Sequence, residues 1–269
     1  MADENPTQLT FSGSVATLWF NRPEKRNAIT LDTWRTIPRL VEDANKLGAR
    51  VLVLRGRGGH FCAGADIEGV GRLLVDAHDP DGYRAANAAA EDALGAAPFV
   101  TIAAIEGSCV GGGCQIATSC DVRIATTSSR FGITPAKLGL SYPAASLERT
   151  AGLIGIGQTK RLLLTADLID GVEAHRIGLV DLLASPETFE EQLDQLLVTL
   201  ESRSLLTQLA ASKMLNELSQ TGTISAGSSQ VWESAAYSSS DIDEGIAAFR
   251  ERRDPHFRWS PLRSHTGGD

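Results

Sequence analysis

The chain has 269 residues, carries a net charge of −8 at pH 7, and is 42% hydrophobic and 22% charged. That length supports one sizeable α/β core, or a core with a smaller appendage. The acidic balance speaks against nucleic acid or an anionic membrane as partner, so an anionic ligand needs a local basic patch.

Met1 to Thr10 is polar and lacks the apolar stretch of a secretory signal. No apolar run reaches the ~20 residues of a membrane span, and a cytoplasmic location is expected. Val15 to Phe20 reads as a strand rich in β-branched and aromatic residues, followed by the turn Asn21 to Asn27. Thr30 caps a predicted helix whose apolar residues Trp34, Ile37, Leu40, Val41, Ala44 and Leu47 recur at helical spacing, with Gly48 as its stop. Val51 to Leu54 is continuously apolar, as in a strand buried on both faces, and a glycine-rich loop from Gly56 to Gly64 follows it. Gly71 to Gly82 reads as a punctuated polar loop leading to a helix from Tyr83 to Leu94. Beyond Pro98, Phe99 to Ile105 is a second buried strand, and Gly111-Gly112-Gly113 opens a helix running to about Ser119. Val122 to Ala125 and Arg130 to Ile133 are short strands. This alternation predicts an α/β core with a largely parallel sheet. After Pro186 helices dominate, over 187–201, 205–218, 229–239 and 241–252, a pattern suited to docking or oligomerisation.

Four cysteines stand at 62, 109, 114 and 120, in spacings that match no common zinc pattern. Buried, reduced thiols are expected, and no metal.

Two glycine-containing loops each follow a buried strand. The first is Phe61-Cys62-Ala63-Gly64-Ala65-Asp66-Ile67, and the second runs from Glu106 through the triple glycine to Gln115. Glycines at a helix start allow close backbone approach and leave N–H groups unpaired at the positive end of the helix dipole. Such a place suits negative charge developing on an oxygen. One loop alone is better read as a tight turn, and neither matches a dinucleotide or Walker fingerprint.

Together, Ala-Gly-Ala-Asp-Ile and Gly-Gly-Gly-Cys-Gln resemble the two signature segments of the enoyl-CoA hydratase/isomerase (crotonase) superfamily. The resemblance continues through Asn21-Arg22-Pro23, Cys120-Asp121, Leu138-Gly139-Leu140, the segment Ala174 to Val180, Glu244 to Phe249, and Arg252-Arg253. It implies a spiral of ββα turns over residues 1–195 that binds acyl-CoA. It also implies a helical trimerisation region over 196–269, giving homotrimers or dimers of trimers. Two backbone N–H groups, here those of Ala65 and Gly112, would stabilise a thioester enolate. Coenzyme A, present only as part of the substrate, would lie along Lys25, Arg26 and Ala28 and the backbone of Ala63, Ala65, Asp66 and Ile67. Arg252, from this or a neighbouring subunit, is a weaker phosphate candidate; plain surface charge is the competing reading for Lys25, Arg26 and Arg252.

Hydratases of this family place a water between two glutamates. Here the corresponding positions hold Gln115, which cannot take a proton at neutral pH, and Pro135, which has no polar side chain. Tyr142 resembles a tyrosine of methylmalonyl-CoA decarboxylases, and decarboxylation needs no base to form the enolate. Gln115 either orients a substrate carbonyl or carboxylate or is structural; the other polar candidates are Ser141, Asp76, His78, Asp79 and Asp81. An atypical hydratase or isomerase, a decarboxylase and a non-catalytic acyl-CoA-binding protein all remain open. Peptide hydrolysis, as on the related spiral of Clp-type proteases, finds no histidine for Ser108.

Overall fold

The computed structural model of the chain describes residues 5–70 and 82–261. The first strands, β1 (Thr7–Ser12) and β2 (Val15–Phe20), form an antiparallel hairpin. A 3₁₀ turn over Pro23–Lys25 leads to α1 (Leu31–Lys46), where the Thr30 hydroxyl accepts from the Thr33 N–H at 3.1 Å. Next come β3 (Val51–Gly56), α2 (Ile67–Val70), α3 (Tyr83–Gly95), β4 (Val100–Ile105), β5 (Ser108–Val110) and α4 (Gly112–Ser119). The chain continues with β6 (Val122–Thr126), β7 (Arg130–Gly132), α5 (Ala144–Thr165), β8 (Ile169–Asp170), α6 (Gly171–Arg176) and β9 (Leu182–Ala184). Four helices close it: α7 (Phe189–Glu201), α8 (Leu205–Thr221), α9 (Ala226–Ser238) and α10 (Asp241–Glu251).

The main sheet has the order β1-β2-β3-β4-β6-β9, parallel except for the β1–β2 hairpin. A smaller sheet, β5-β7-β8, stands beside it. Both faces of the main sheet are covered. Leu52 and Leu54 of β3 join the larger core with Trp34, Ile37, Leu94 and Ile116, whereas Val51 and Val53 face Phe189 and Leu193 of α7. Because side chains alternate across a strand, burial of both faces requires the unbroken apolar run seen in β3. The division expected after residue 195 falls inside α7, which is packed on the main sheet.

Several elements depart from the sequence reading. The sequence reading assigns no element before Val15, yet residues 7–12 form edge strand β1, buried at Thr7 and exposed from Thr10 to Ser12. The 22-residue helix α5 was not anticipated: it contains Gly152, Gly155 and Gly157, and Gly155 is non-helical (φ 74°, ψ 159°), so no helical period is sustained across it.

The topology places the site. β3 and β4 are parallel and in register from Val51↔Val100 to Leu54↔Ala103, so the loops after them leave the same end of the sheet. Crevices beyond the carboxyl ends of parallel strands are where open α/β sheets bind ligands.

Candidate active site

The two glycine loops are joined backbone to backbone. The Cys62 N–H donates to Ser108 O at 2.8 Å, and the Val110 N–H donates to Cys62 O at 2.9 Å, making a short parallel bridge. Gly113 permits this approach: a Cβ there would lie 2.5 Å from Cys62 O. Gly111, at φ 53°, turns the chain into α4 so that Gly112 becomes its first residue. A Cβ on Gly112 would lie 3.8 Å from the carbonyl carbon of Gly64, the atom bonded to the nitrogen of Ala65. The backbone stretches that carry the Ala65 and Gly112 nitrogens therefore lie side by side. Among the described residues neither N–H has an acceptor.

Both face a cavity of about 160 Å³. Its walls come from Ala63–Ala65 and Ile67, from Tyr83, Arg84 and Asn87 of α3, from Val110–Gly112 and Gln115, and from the segment between Thr134 and Pro143. The lining is mostly apolar, and no carboxylate belongs to it among the described residues.

Behind the wall lies a buried polar cluster. Gln115 is 6% exposed, and its Nε2 is within hydrogen-bonding distance of Glu91 Oε1 (3.0 Å), Ser146 Oγ (3.0 Å) and Asn87 Oδ1 (3.2 Å). Glu91, 1% exposed, accepts from the Ser146 hydroxyl at 2.9 and 3.0 Å and pairs with the Arg149 guanidinium. Burial raises its carboxyl above the ordinary range, opposed by the Ser146 hydrogen bond and the Arg149 charge. With Nε2 engaged there, the Gln115 carbonyl turns toward α4's start: Oε1 stands 3.7 Å from where a Cβ on Gly112 would be.

The enoyl-CoA hydratase/isomerase family model matches residues 10–260. The chain belongs to that family. Among its relatives in the family, a crotonyl-CoA hydratase of Syntrophomonas wolfei is 32% identical over 246 residues, covering 90% of this chain and 94% of its own. A peroxisomal Delta(3,5)-Delta(2,4)-dienoyl-CoA isomerase of Arabidopsis thaliana is 28% identical over 258 residues, covering 91% and 92%. The crystal structure of a putative enoyl-CoA hydratase/isomerase family protein from Hyphomonas neptunium superposes with a TM-score of 0.89 at 32% identity, over 95% of this chain and 98% of that one. The crotonase fold expected from the two loops is thus the fold of this enoyl-CoA hydratase/isomerase family member.

Of the residues singled out in the sequence, Ala63, Ala65, Ile67, Gly112, Gln115, Pro135, Ser141 and Tyr142 line the cavity. Tyr142 does so with its hydroxyl buried and without a partner among the described residues. Burial, reinforced by nearby Cys114 and Glu91, raises that phenol well above its ordinary value, so it holds its proton. Pro135 opens a 3₁₀ turn over Pro135–Lys137. Lys25, Arg26, Ala28 and Asp66 lie on the flank rather than in the lining. Arg22 clamps this flank by pairing with Asp66 at 2.8 Å and donating to Ala28 O at 2.7 Å. The buried Asn27 side chain accepts from the Arg22 N–H and donates to Arg57 O and His60 O, holding Arg26 and Asn27 in left-handed conformation. Lys25 pairs with Glu68 at 2.6 Å, both exposed. Arg252 caps the end of α10 at φ 55°, exposed and away from the cavity lining of its own chain. Asp76, His78, Asp79 and Asp81 lie outside the described residues. All four cysteines are unpaired and buried; burial pushes the Cys62 thiol up to about 12, so it is no nucleophile at neutral pH. Glu91, Asn87, Ser146 and Arg149 were missed. No local motif marks them, since Glu91 meets Ser146 and Arg149 across separations of 55 and 58 residues.

Proposed function

We propose that this enoyl-CoA hydratase/isomerase family member binds an acyl-CoA thioester with its carbonyl oxygen between the N–H groups of Ala65 and Gly112. As the thioester becomes an enolate, that oxygen gains charge which the ground-state carbonyl lacks. Donors already fixed in place stabilise the transition state more than the substrate, and so accelerate the step. The observation that carries this reading is the pair of neighbouring backbone N–H groups, in the lining of one cavity, that have no acceptor among the described residues.

Hydration by two glutamates does not suit the site. Gln115 and Pro135 stand at the two glutamate positions, and an amide and a proline cannot accept the proton that water must lose. The coenzyme A portion would run along the Arg22–Asn27 turn, with its phosphates toward Lys25 and Arg26. Isomerisation or atypical hydration would need a proton acceptor from elsewhere. Decarboxylation is a second reading, favoured by the cavity's lack of a lining carboxylate among the described residues: the breaking carbon–carbon bond itself supplies the enolate's electron pair. In that case Arg84, in the cavity lining, would hold the substrate carboxylate before it leaves as neutral carbon dioxide, and a proton must then reach the enolate carbon.

The exposed Leu215, Leu218, Val231, Tyr237 and Phe249 of α8–α10 are the surface we assign to assembly into trimers or dimers of trimers. Parallel incubation with crotonyl-CoA and methylmalonyl-CoA, followed by mass spectrometry, tests the chemistry. Water gain by crotonyl-CoA would reinstate hydration, and loss of carbon dioxide from methylmalonyl-CoA alone would select decarboxylation. If neither is bound or changed, and other thioesters are equally inert, the oxyanion reading falls.

A further inference from the structure

One buried donor beside the cavity has no acceptor. Trp34 is fully buried, and its indole N–H has no hydrogen-bond partner among the described residues. A buried donor left unpaired destabilises the fold, so its presence calls for a reason. Its aromatic neighbour is Tyr83: the two rings meet edge to face, with centroids 6.2 Å apart at 90°. Burial pushes the Tyr83 phenol up to about 12, and the Trp34 N–H opposes that rise. The N–H therefore stands beside the phenol oxygen without being aligned for a full hydrogen bond in the resting site. A phenolate there would give it a strong, charge-assisted partner.

The hydroxyl end of Tyr83 is also tied to both glycine loops. Cys62, in the first loop, is close enough to act on the phenol. Trp34 abuts the second, its Cζ2 being 3.1 Å from where a Cβ on Gly112 would be. Tyr83 lines the same cavity as Ala65 and Gly112. Among the lining side chains, amides give up no proton, the Arg84 guanidinium keeps its own, and aliphatic hydroxyls are weaker acids than phenols. That leaves Tyr83 and Tyr142. Around Tyr142, Cys114 and Glu91 both oppose a negative charge, whereas Trp34 favours one at Tyr83.

We infer that Tyr83 is the general acid of this site, giving its hydroxyl proton to the enolate carbon, and that Trp34 acts through it as a positioning residue whose N–H receives the phenolate. This rests on the proposed acyl-CoA reading and supplies the proton which that reading leaves unassigned. The O–H bond of Tyr83 breaks as the enolate's electron pair forms a C–H bond at the carbon next to the thioester; solvent then returns a proton to the phenolate oxygen. Because the indole N–H gains its partner only as the proton leaves, it stabilises the transition state more than the resting site. A single acid held on one wall delivers the proton to one face of that carbon.

The test runs the full-length protein in deuterium oxide with whichever of crotonyl-CoA and methylmalonyl-CoA reacts, and reads kcat, KM and the configuration of deuterium at the α-carbon of the product. The wild type should give one configuration. Tyr83→Phe keeps the ring contact and removes the proton, so kcat should fall about a hundredfold or more with KM little changed, and the residual product should carry both configurations. Trp34→Phe should lower kcat about tenfold or more, the loss of one hydrogen bond to a charged group, and raise the solvent isotope effect on kcat, which a packing defect alone would not do. Should that variant not fold, Tyr83→Phe decides. Near-wild-type kcat in Tyr83→Phe overturns the inference and leaves the acyl-CoA reading standing, as does a slowed variant that still gives a single configuration. A wild type that neither binds nor converts any thioester removes both.

Discussion

Replacing Gly112 by proline removes one N–H from the neighbouring pair and leaves most else in place. Gly112 is the first residue of α4, the helical position where proline is best tolerated, because the nitrogen there has no intrahelical partner to lose. Losing one oxyanion donor costs about 2.7–4 kcal/mol, a fall of about 10²–10³ in kcat. A steric term must be separated from this. A Cβ at 112 would lie 3.1 Å from Trp34 Cζ2, and Trp34 is fully buried, so some overpacking of about 1–3 kcal/mol in stability is expected. Gly112→Ala carries the same Cβ and keeps the N–H, so the ratio of the two variants' kcat values isolates the donor. The assay is turnover of whichever thioester the mass-spectrometric screen shows to react, alongside thermal unfolding and CoA affinity. We expect the alanine variant to keep most of its kcat, and the proline variant to fall a further hundredfold or more with CoA affinity little changed. Proline activity within a few-fold of alanine, in a folded protein, would refute the assignment of Gly112 as a donor.

Gly113→Ala should damage stability and activity together, because its Cβ would meet Cys62 O at 2.5 Å and push the two loops apart; thermal unfolding and kcat should both drop, by about 1–3 kcal/mol in the former. Lys25→Ala combined with Arg26→Ala should raise the Kd for coenzyme A several-fold at low salt, with the gap closing as ionic strength rises, since exposed charges are screened. An unchanged affinity at every salt concentration would return both residues to plain surface charge. Glu91 makes a pH prediction. Burial lifts its carboxyl above the ordinary 4.5, so near that pH the folded chain holds a proton that the unfolded chain releases. Stability must then fall as pH rises from about 4.5 through the folded value, and Glu91→Gln should flatten that slope in urea denaturation; parallel profiles for the two proteins would contradict it.

What the sequence revealed and what it hid have separate physical causes. Buried parallel strands announce themselves because both faces need apolar residues, which is why Val51–Leu54 and the strand ending at Ile105 were legible. The two loops were legible because close backbone approach excludes side chains, and Gly113 against Cys62 O shows that exclusion directly. Edge strand β1 was hidden because its exposure grows along its length, from buried Thr7 to exposed Ser12, so its polar residues mark no alternating face. Glu91 was hidden for another reason: on α3 it is one carboxylate among ordinary helix residues, and only the fold brings Ser146, Arg149 and Gln115 to it. The departure at Gln115, which the sequence presents as a loss of acid–base capacity, has in the structure a partner that accounts for it. A carboxylate at 115 would stand about as close to Glu91 as the present amide nitrogen does, 3.0 Å, and two buried anions at that distance cannot both ionise. Position 115 and position 91 therefore form one electrostatic unit, and under the proposed reading Gln115→Glu alone should not yield a hydratase. The single change would set two carboxyl groups behind the wall in competition for one proton, and Pro135 would still offer the water no second acceptor.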